Sequence, residues 1–576
     1  MKKLNLLVGG ALLLAALFTT SCKEFMASLD NPVGSYVKIN QTTVVLRLGD
    51  QMTRVGETIN TDGLEYSSSN PDVATVDAVT GKVTALSVGT TLITASAPAN
   101  EYYLAGSASY EVKVVSFNPQ TTSTLIGVGD YETLDIYDAG TTGLSAVWTS
   151  SNNSIATVDQ NGKVTAVAEG QATITVTVGG EQSASCLVTT KAKTNLEAIG
   201  AAYTAQDGDV LTGAMYYPLT IAAGATVVLS DVHCYQNPGG YNPIACQGDA
   251  TIILAENSNN TAWQGDNHWK ADLKAGPAGT TLTLRGKGSF TVDAVNSQQA
   301  AVIGTDRLGT CGDIVIEEGY YQLNAGSHSV AIGAGDGGTC GNITIFGGEI
   351  HANGGYMGAG IGCGLSYNKP TTCGDITIHG GKVYANGGAN AAGIGGGTSH
   401  NKASVCGNIT INGGTVEARG GSNAAGIGTG YQYSDIDNTC GNITITGGKV
   451  KAWCSGVYGA GIGTGIRHDW DAVNHPTCGD ITLSGGEIEA TMGGDGLYDV
   501  GPGEYSAFPG IFTGKVGKIT VSVNVTNARG DVTKIYSADA AASAPRRVQE
   551  EIPTLPSLDG PEPEKAQINQ KNNNET

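Results

Sequence analysis

The residues whose chemistry best suits ligand binding lie in four short segments of the chain: residues 365–372, 398–405, 431–439 and 466–477. Aromatic faces stack on the apolar C–H surface of sugar rings, and Asn, Asp and His side chains hydrogen-bond the hydroxyl groups. These segments are therefore predicted to be glycan-binding loops. The candidate contact residues are Tyr367, His400, Tyr431, Tyr433, His468 and Trp470.

The same segments carry four aspartates, and carboxylate oxygens are preferred ligands of Ca²⁺. No cofactor is predicted from the sequence, and a structural Ca²⁺ at these aspartates is an alternative that stays open. Catalysis on a polysaccharide would need two carboxylates at a fixed separation, or a base beside a bound calcium. Acidic loops are usually just solvated, and the sequence contains no nucleophile elbow, P-loop or HExxH motif, so we predict no catalytic residue. The candidate metal ligands are Asp435, Asp437, Asp469 and Asp471.

A six-fold repeat determines where these loops must lie. From each repeat cysteine to the next [AV]-x-I-G element there are 19 residues in four coils and 20 in the fifth, so nearly all length variation falls in the loop after that element. Stacked coils would bring those loops side by side along one edge. Insertions also survive wherever a fold tolerates them, and this simpler explanation of the loops stays open. The repeat is the tetrad CG[DN]I, which begins at Cys311, Cys340, Cys373, Cys406, Cys440 and Cys478.

The alternation of residues within one coil, CGDITIHGGKVYANGGANAAGIGGG, predicts how the coils stack. Side chains of a strand point alternately to its two faces, so apolar residues at every second position form a core. Stacking this coil gives three parallel sheets, which together form a right-handed parallel β-helix over residues 194–535. The repeat also resembles those of β-helical bacterial surface proteins described as carbohydrate-binding. The predicted inward residues are Ile376, Ile378, Val383, Ala385 and Ile394, and the predicted outward residues are Thr377 and Tyr384.

Two related segments precede the repeats. YSSSNPDVATVDAVTGKVTALSVGTTLIT spans Tyr66–Thr94, and WTSSNNSIATVDQNGKVTAVAEGQATIT spans Trp148–Thr175. Each contains two β-like runs joined by a short turn with glycine, which predicts a β-hairpin. Both segments resemble the core motif of the bacterial Ig-like group 2 domain. The resemblance implies two small β-sandwiches at residues 34–116 and 117–193, of the kind that serve as spacers in surface proteins and adhesins.

The N-terminus carries the pattern of an export signal. Met1-Lys2-Lys3 is basic, Leu4 to Leu17 is almost wholly apolar, and Ser21-Cys22 follows. This stretch is too short for a good membrane span and is typical of a secretory signal peptide. The position of Cys22 resembles the lipobox of Bacteroidetes-like lipoproteins, which implies a signal over residues 1–22, a diacylglycerol thioether on Cys22 and stable anchoring by two or three acyl chains.

Two stretches of the sequence are expected to have no packed structure. Residues 23–33 are expected to be a tether, and residues 536–576, rich in Pro, Glu and Asn, are expected to be a disordered tail.

The repeat cysteines are predicted to stack as a ladder of buried thiols, although disulfides between neighbouring coils stay possible at the spacing of the coils. Cys234 and Cys246 flank a turn-rich segment and are a candidate disulfide in an exported protein.

The net charge of −21 leaves no basic excess to displace counterions, so a nucleic-acid partner is not expected. The sequence instead predicts a non-catalytic lipoprotein of the outer membrane or cell surface, in which an Ig-like stalk displays a β-helix that binds a carbohydrate or another host or cell-surface ligand. Two alternatives remain at this stage. One is a structural surface protein that binds a protein partner, and the other is a polysaccharide lyase or glycoside hydrolase built on the β-helix.

Overall fold

The chain is described by a computed structural model. The described residues are 33–40, 42–119, 122–134, 136–139, 143–180, 182–236, 240–264, 269–294, 299–468, 473–504, 513–530 and 532–537. Within these ranges the elements are short β-strands and one 3₁₀ turn, Leu196–Ala198, so the predicted all-β fold is confirmed. None of the described helical structure has the length and apolar character needed to cross a bilayer. Cys22, the signal segment and almost all of the predicted tail lie outside the described residues.

The first Ig-like unit is a small sandwich whose strands alternate between buried and exposed side chains. Tyr66, Ile93 and Tyr110 fill its core. Its larger sheet contains Thr43–Arg47, Glu65–Ser68, Gly89–Ala97 and Gly106–Pro119, and its smaller sheet contains Gln51–Thr53, Ala74–Val76 and Lys82–Ala85. Two further short pairs join Val33–Gly34 to Tyr103–Leu104 and Val37–Lys38 to Glu57–Thr58.

The second Ig-like unit repeats this plan around a buried tryptophan, Trp148. Its hairpin turn requires glycine at Gly162, where φ is +82° and an added Cβ would lie 2.9 Å from the Trp148 ring. One sheet contains Ser123–Gly127, Ala146–Ser150, Gly170–Val178 and Gln182–Lys191, and the other contains Tyr131–Thr133, Ala156–Val158 and Lys163–Ala166.

A single strand, Gly106–Pro119, connects the two units. Its first part pairs with Gly89–Ala97 of the first unit, and its last part pairs with Ile136–Ala139 of the second. Val115 of this strand packs in the core of the second unit. The predicted boundary between residues 116 and 117 therefore falls inside a continuous strand, because the second unit uses the end of the first unit's last strand.

The rest of the described chain forms stacked parallel strands, which confirms the predicted parallel β-helix. The long sheet takes two strands from each regular coil, because the long strand Ala225–Gln236 pairs with both Ala250–Leu254 and Asn259–Gln264 and so joins the two stacks of strands in one sheet. Its strands are Lys193–Asn195, Val210–Met215, Ala225–Gln236, Ala250–Leu254, Asn259–Gln264, Thr281–Arg285, Ser289–Asp293, Asp313–Ile316, Tyr320–Asn324, Ile343–Ile345, Glu349–Asn353, Ile376–Ile378, Lys382–Asn386, Ile409–Ile411, Thr415–Gly420, Ile443–Ile445, Lys449–Cys454, Ile481–Leu483, Glu487–Thr491, Ile519–Val521 and Val525–Thr526.

Two narrower sheets close each coil. The middle sheet is formed by the [AV]-x-I-G elements, and a cysteine sheet of two- and three-residue strands carries most of the repeat cysteines. The middle sheet contains Tyr203–Ala205, Leu219–Ile221, Ile244–Cys246, Leu273–Lys274, Ala301–Gly304, Val330–Ala334, Ile361–Cys363, Ile394–Gly395, Ile427–Gly428, Ile462–Gly463 and Val500–Gly501. The cysteine sheet contains Thr339–Cys340, Thr371–Cys373, Ser404–Cys406, Asn438–Cys440, Thr477–Cys478 and Lys515–Val516.

The inward and outward positions of the coil are as predicted. The five residues expected inside are completely buried, in one core that runs through the whole β-helix. Thr377 and Tyr384 lie on the outer surface of the long sheet. The sequence pattern therefore fixes the register, since a slip of one residue would bring Thr377 into the core.

The cysteines are packing residues. The repeat cysteines pair in parallel register from Cys340 to Cys478, as predicted, and the eleven described cysteines are free, buried thiols. The predicted disulfide between Cys234 and Cys246 is not formed. Each thiol fills an inward position of its own strand, one in the long sheet and one in the middle sheet, and burial raises the pKa of each to about 12.

The second Ig-like unit packs against the first coils of the β-helix. Leu125 of that unit joins an apolar cluster with Val210, Val228 and Ile253 of the helix. Polar contacts surround this cluster, since the Lys287 ammonium donates to the Thr133 carbonyl oxygen at 2.6 Å. The second Ig-like unit and the β-helix are therefore joined by a packed interface.

Candidate ligand-binding edge

The four variable loops are held in register by a short ladder of their own. Parallel bridges connect Ser366 to Ser399, Ser399 to Gln432, and Gln432 to Arg467. The backbone N–H groups of Ser366, Ser399 and Gln432 each donate to a carbonyl oxygen one coil further on, at 3.0 Å. The loops differ in length, but their first residues continue the stacking of the sheets.

An aromatic ring lies one residue beyond each bridge. The ring centroids of Tyr367 and His400 are 5.0 Å apart, those of His400 and Tyr433 4.6 Å, and those of Tyr433 and His468 5.0 Å. The last two pairs are stacked, with interplanar angles of 13° and 5°, while the first is tilted by 45°. These four rings, which we call the loop-edge row, bring together four of the six predicted contact residues.

The loop-edge row is accessible from solvent. Tyr367 is 44% exposed and His468 is exposed, while His400 and Tyr433 are half-buried between their neighbours. Neighbouring rings cover one another's faces, so the row presents a continuous strip of ring edges, with Tyr hydroxyl groups and His nitrogens along it. Such a strip can contact apolar ligand surface and hydrogen-bond hydroxyl groups.

Tyr431 is not a surface contact residue, contrary to the prediction. It is only 3% exposed and lies directly before the bridge residue Gln432, at the position that is also buried in Leu365 and Ile466. Its hydroxyl group is hydrogen-bonded to Nδ1 of His468 at 2.6 Å. Tyr431 therefore supports a ring of the row from below.

Three predicted residues lie outside the described part of the chain: Trp470, Asp469 and Asp471. Asp435 and Asp437 are exposed. The Asn474 backbone N–H donates to the Asp435 carboxylate at 2.6 Å, and this hydrogen bond is the main cause of its lowered pKa. Among the residues that the structure describes, no three His, Cys, Asp or Glu side chains are grouped to hold a metal ion. The candidate Ca²⁺ site stays a hypothesis.

Residues that the sequence reasoning missed extend the edge beyond Tyr367. The buried Asp336 carboxylate accepts a hydrogen bond from the Tyr367 backbone N–H at 3.0 Å and forms an ion pair with Arg307 at 3.1 Å. The Arg307 guanidinium lies 5.1 Å from the Trp269 ring centroid, and Trp269 is 57% exposed. Arg307 and Asp336 follow [AV]-x-I-G elements, as the four loops do. This shared position after the element is the sequence signal that could have found them.

A cavity of about 480 Å³ lies between the second Ig-like unit and the β-helix, and Glu132, Arg285 and Phe346 contribute to its wall. Burial raises the pKa of Glu132, although the Thr124 hydroxyl group donates to its carboxylate at 2.6 Å. A raised carboxyl pKa suits a general acid, but the lining contains no residue that the sequence predicted for binding or chemistry. The cavity belongs to the interface between stalk and helix.

Comparison with known families agrees with this architecture. Residues 35–101 and 111–188 match the bacterial Ig-like domain (group 2). Residues 343–365, 376–398, 409–431 and 443–466 match a β-helix repeat. The chain thus combines Ig-like domains with a β-helix, and no curated protein matches it significantly.

Solved structures resemble a little over a quarter of the chain. A C-terminal fragment of intimin, in complex with the intimin-binding domain of its translocated receptor, is 20% identical over 27% of this chain and 64% of the fragment, with a TM-score of 0.21. The S-layer protein rSbsC(31-844) is 20% identical over 28% of each chain, with a TM-score of 0.13. Drosophila N-cadherin EC1-4 is 11% identical over 28% of this chain and 50% of its own, with a TM-score of 0.13. This chain thus spans less than two thirds of each of these proteins.

Proposed function

We propose that this protein is a lipid-anchored, non-catalytic protein of the bacterial cell surface, whose β-helix binds carbohydrate along the loop-edge row. The observation that carries the proposal is the set of four rings at 4.6–5.0 Å intervals on an accessible edge. None of the four rings belongs to the hydrophobic core of the β-helix. Rings that contact solvent in register are suited to a ligand with repeated apolar faces and hydroxyl groups, and a glycan has both.

The rest of the architecture supports a display role. The Ig-like units lie between the N-terminal segment and the β-helix in the chain, as spacers would. Acyl chains on Cys22 would anchor the N-terminal end to a membrane. Metabolic labelling with a palmitate analogue tests this step, because the wild-type protein should carry the label and Cys22→Ala should not.

Affinity electrophoresis of the whole chain, through gels that contain plant, host or microbial polysaccharides, tests the binding step. We expect one polysaccharide class to retard the wild-type protein. The double variant Tyr367→Ala/Tyr433→Ala should be retarded clearly less by that class. The matched control is Tyr356→Ala, since Tyr356 is 40% exposed but belongs to no ring row.

Two results would contradict the proposal. Equal retardation of the wild type and the double variant would show that the loop-edge row is not the binding surface. A fall in polymer size during incubation would contradict the non-catalytic assignment and support a polysaccharide-degrading enzyme instead.

A further inference from the structure

A second accessible surface of the β-helix has an organised chemistry of its own. It is formed by the outward side chains of six strands of the long sheet, one from each of six successive coils, and we call it the outer strip. Corresponding residues of these strands pair in parallel register, so that outward side chains form straight columns along the helix axis. The strands are Tyr320–Asn324, Glu349–Asn353, Lys382–Asn386, Thr415–Gly420, Lys449–Cys454 and Glu487–Thr491.

Three aromatic rings lie in contact on the outer strip. The ring centroids of Tyr320 and His351 are 5.5 Å apart and tilted by 48°, and those of His351 and Tyr384 are 4.6 Å apart and stacked at 16°. Tyr320 is 40% exposed, while His351 and Tyr384 are half-buried. Trp453 lies on the same strip two coils beyond Tyr384, beneath the Lys451 ammonium at 5.5 Å from its ring centroid.

A column of amides runs beside the rings. The Asn353 side-chain amide donates to Oδ1 of Asn324 at 2.8 Å, and that of Asn386 donates to Oδ1 of Asn353 at 2.7 Å. An asparagine side chain has two N–H donors and two acceptor lone pairs, so these bonds use only part of its capacity. The Asn324, Asn353 and Asn386 side chains are half-buried, so the column presents amide groups at one-coil intervals beside the rings.

The charges of the outer strip balance, although the whole chain has a net charge of −21. Several charges are paired across neighbouring coils, as between Lys382 and Glu349 at 3.2 Å and between Lys451 and Glu489 at 3.2 Å. Polyanions and polycations are therefore not favoured by this surface. The four cations are Lys382, Arg419, Lys449 and Lys451, and the four anions are Glu349, Glu417, Glu487 and Glu489.

From these observations we propose that the outer strip is a second carbohydrate-binding site, which takes a linear, neutral polysaccharide along the helix axis. The exposed edges of the rings contact successive sugar units, and the Asn324, Asn353 and Asn386 amides hydrogen-bond their hydroxyl groups. The outer strip belongs to the long sheet, whereas the loop-edge row follows the middle sheet. The two sites therefore bind independently, and the outer strip does not depend on the proposed function of the loop edge.

Quantitative affinity electrophoresis of the whole chain tests this inference, with dextran, laminarin, galactomannan and xyloglucan as neutral probes and polygalacturonate as an anionic probe. We expect at least one neutral probe to bind, and Tyr320→Ala/Tyr384→Ala to weaken that binding about tenfold. Tyr320→Phe/Tyr384→Phe keeps the rings and should bind as the wild type does. The loop-edge variant Tyr367→Ala/Tyr433→Ala should keep this interaction.

The thermal unfolding midpoint of each variant shows whether it is folded. The inference is overturned if the folded Tyr320→Ala/Tyr384→Ala variant binds every neutral probe as the wild type does. It is also overturned if polygalacturonate alone binds, or if no probe does. Loss of neutral binding only in the loop-edge variant would support the proposed function while rejecting the outer strip.

Discussion

The Asp375 carboxylate accepts a hydrogen bond from the backbone N–H of Asn408, which lies at the equivalent position one coil further on, at 2.7 Å. The same bond recurs at six successive steps from Asp313 to Lys518, with distances of 2.7–2.9 Å. This bond explains why the third residue of the repeated tetrad is Asp or Asn. Only these short side chains bring an acceptor oxygen to the backbone of the next coil.

Asp375 should therefore tolerate asparagine but not alanine. Asp375→Asn retains the acceptor and should leave the unfolding midpoint of the β-helix nearly unchanged. Asp375→Ala leaves the Asn408 N–H without this acceptor and should destabilise the protein by about 0.5–1.5 kcal/mol, since water can reach this exposed position. Urea unfolding followed by circular dichroism measures both variants. Equal stability of the alanine variant and the wild type would contradict this explanation of the tetrad.

The glycine of the tetrad is required for close approach of neighbouring coils. A Cβ at Gly407 would lie 2.4 Å from Oδ1 of Asp375 and 2.7 Å from the Gly374 carbonyl carbon. Gly407→Ala should thus cost about 1–3 kcal/mol of unfolding free energy through overpacking. Gly494→Ala is the matched control, because its Cβ would meet no atom nearer than 3.7 Å. Similar losses in both variants would show that general backbone effects, and not this contact, are responsible.

The buried thiols should be inert in the folded protein. Burial raises the pKa of Cys234 and Cys246 to about 12 and raises that of Cys363, so at pH 8 little reactive thiolate exists at these positions. Because all eleven described cysteines are buried, Ellman's reagent should label them slowly in buffer and rapidly in denaturant. Fast labelling of the folded protein, or missing thiols after unfolding, would contradict the assignment of free packing cysteines.

Glu132 should make stability depend on pH. Its pKa is raised in the folded state by burial, so the folded protein binds more protons than the unfolded chain, and this contribution is lost as the pH rises from the unfolded value of about 4.3 through the folded pKa. Glu132→Gln keeps an acceptor for the Thr124 hydroxyl group and removes the titration. Thermal unfolding between pH 4 and pH 7 should show a smaller decline for this variant. Parallel profiles for the variant and the wild type would rule out this role of Glu132.

The regular part of the fold could be predicted because each coil repeats the same alternation. Ile376 and Ile378 had to face inward for Thr377 to remain in contact with water. Because the same pattern recurs in the coils before and after, it also fixed the register in which their strands pair. The cysteine sheet was not predicted, because one of the two inward positions in its three-residue strands is polar, as at Thr371 and Ser404, and so no apolar alternation shows. The disulfide prediction was wrong because proximity in sequence says little about which side of the core each cysteine occupies.

The candidate site was only partly predictable. The loop lengths located the edge, but they could not show that Tyr431 is buried and Tyr433 accessible, since alternation alone would place two residues that are two positions apart on the same face. The Arg307–Trp269 contact joins residues 38 positions apart and follows from stacking that no local motif encodes. The rings of the outer strip were recognisable as outward residues, but their mutual contacts required the register of three coils.

Titration of the whole chain with the polysaccharide that retards it most, by isothermal calorimetry, tests the central claim most directly. Tyr433→Ala removes a ring that is in contact with both His400 and His468, whereas Tyr433→Phe retains it. We expect Tyr433→Ala to weaken binding several-fold or more. Tyr433→Phe and the Tyr356→Ala control should bind as the wild type does. Unchanged affinity of a folded Tyr433→Ala variant would contradict carbohydrate binding along the loop-edge row.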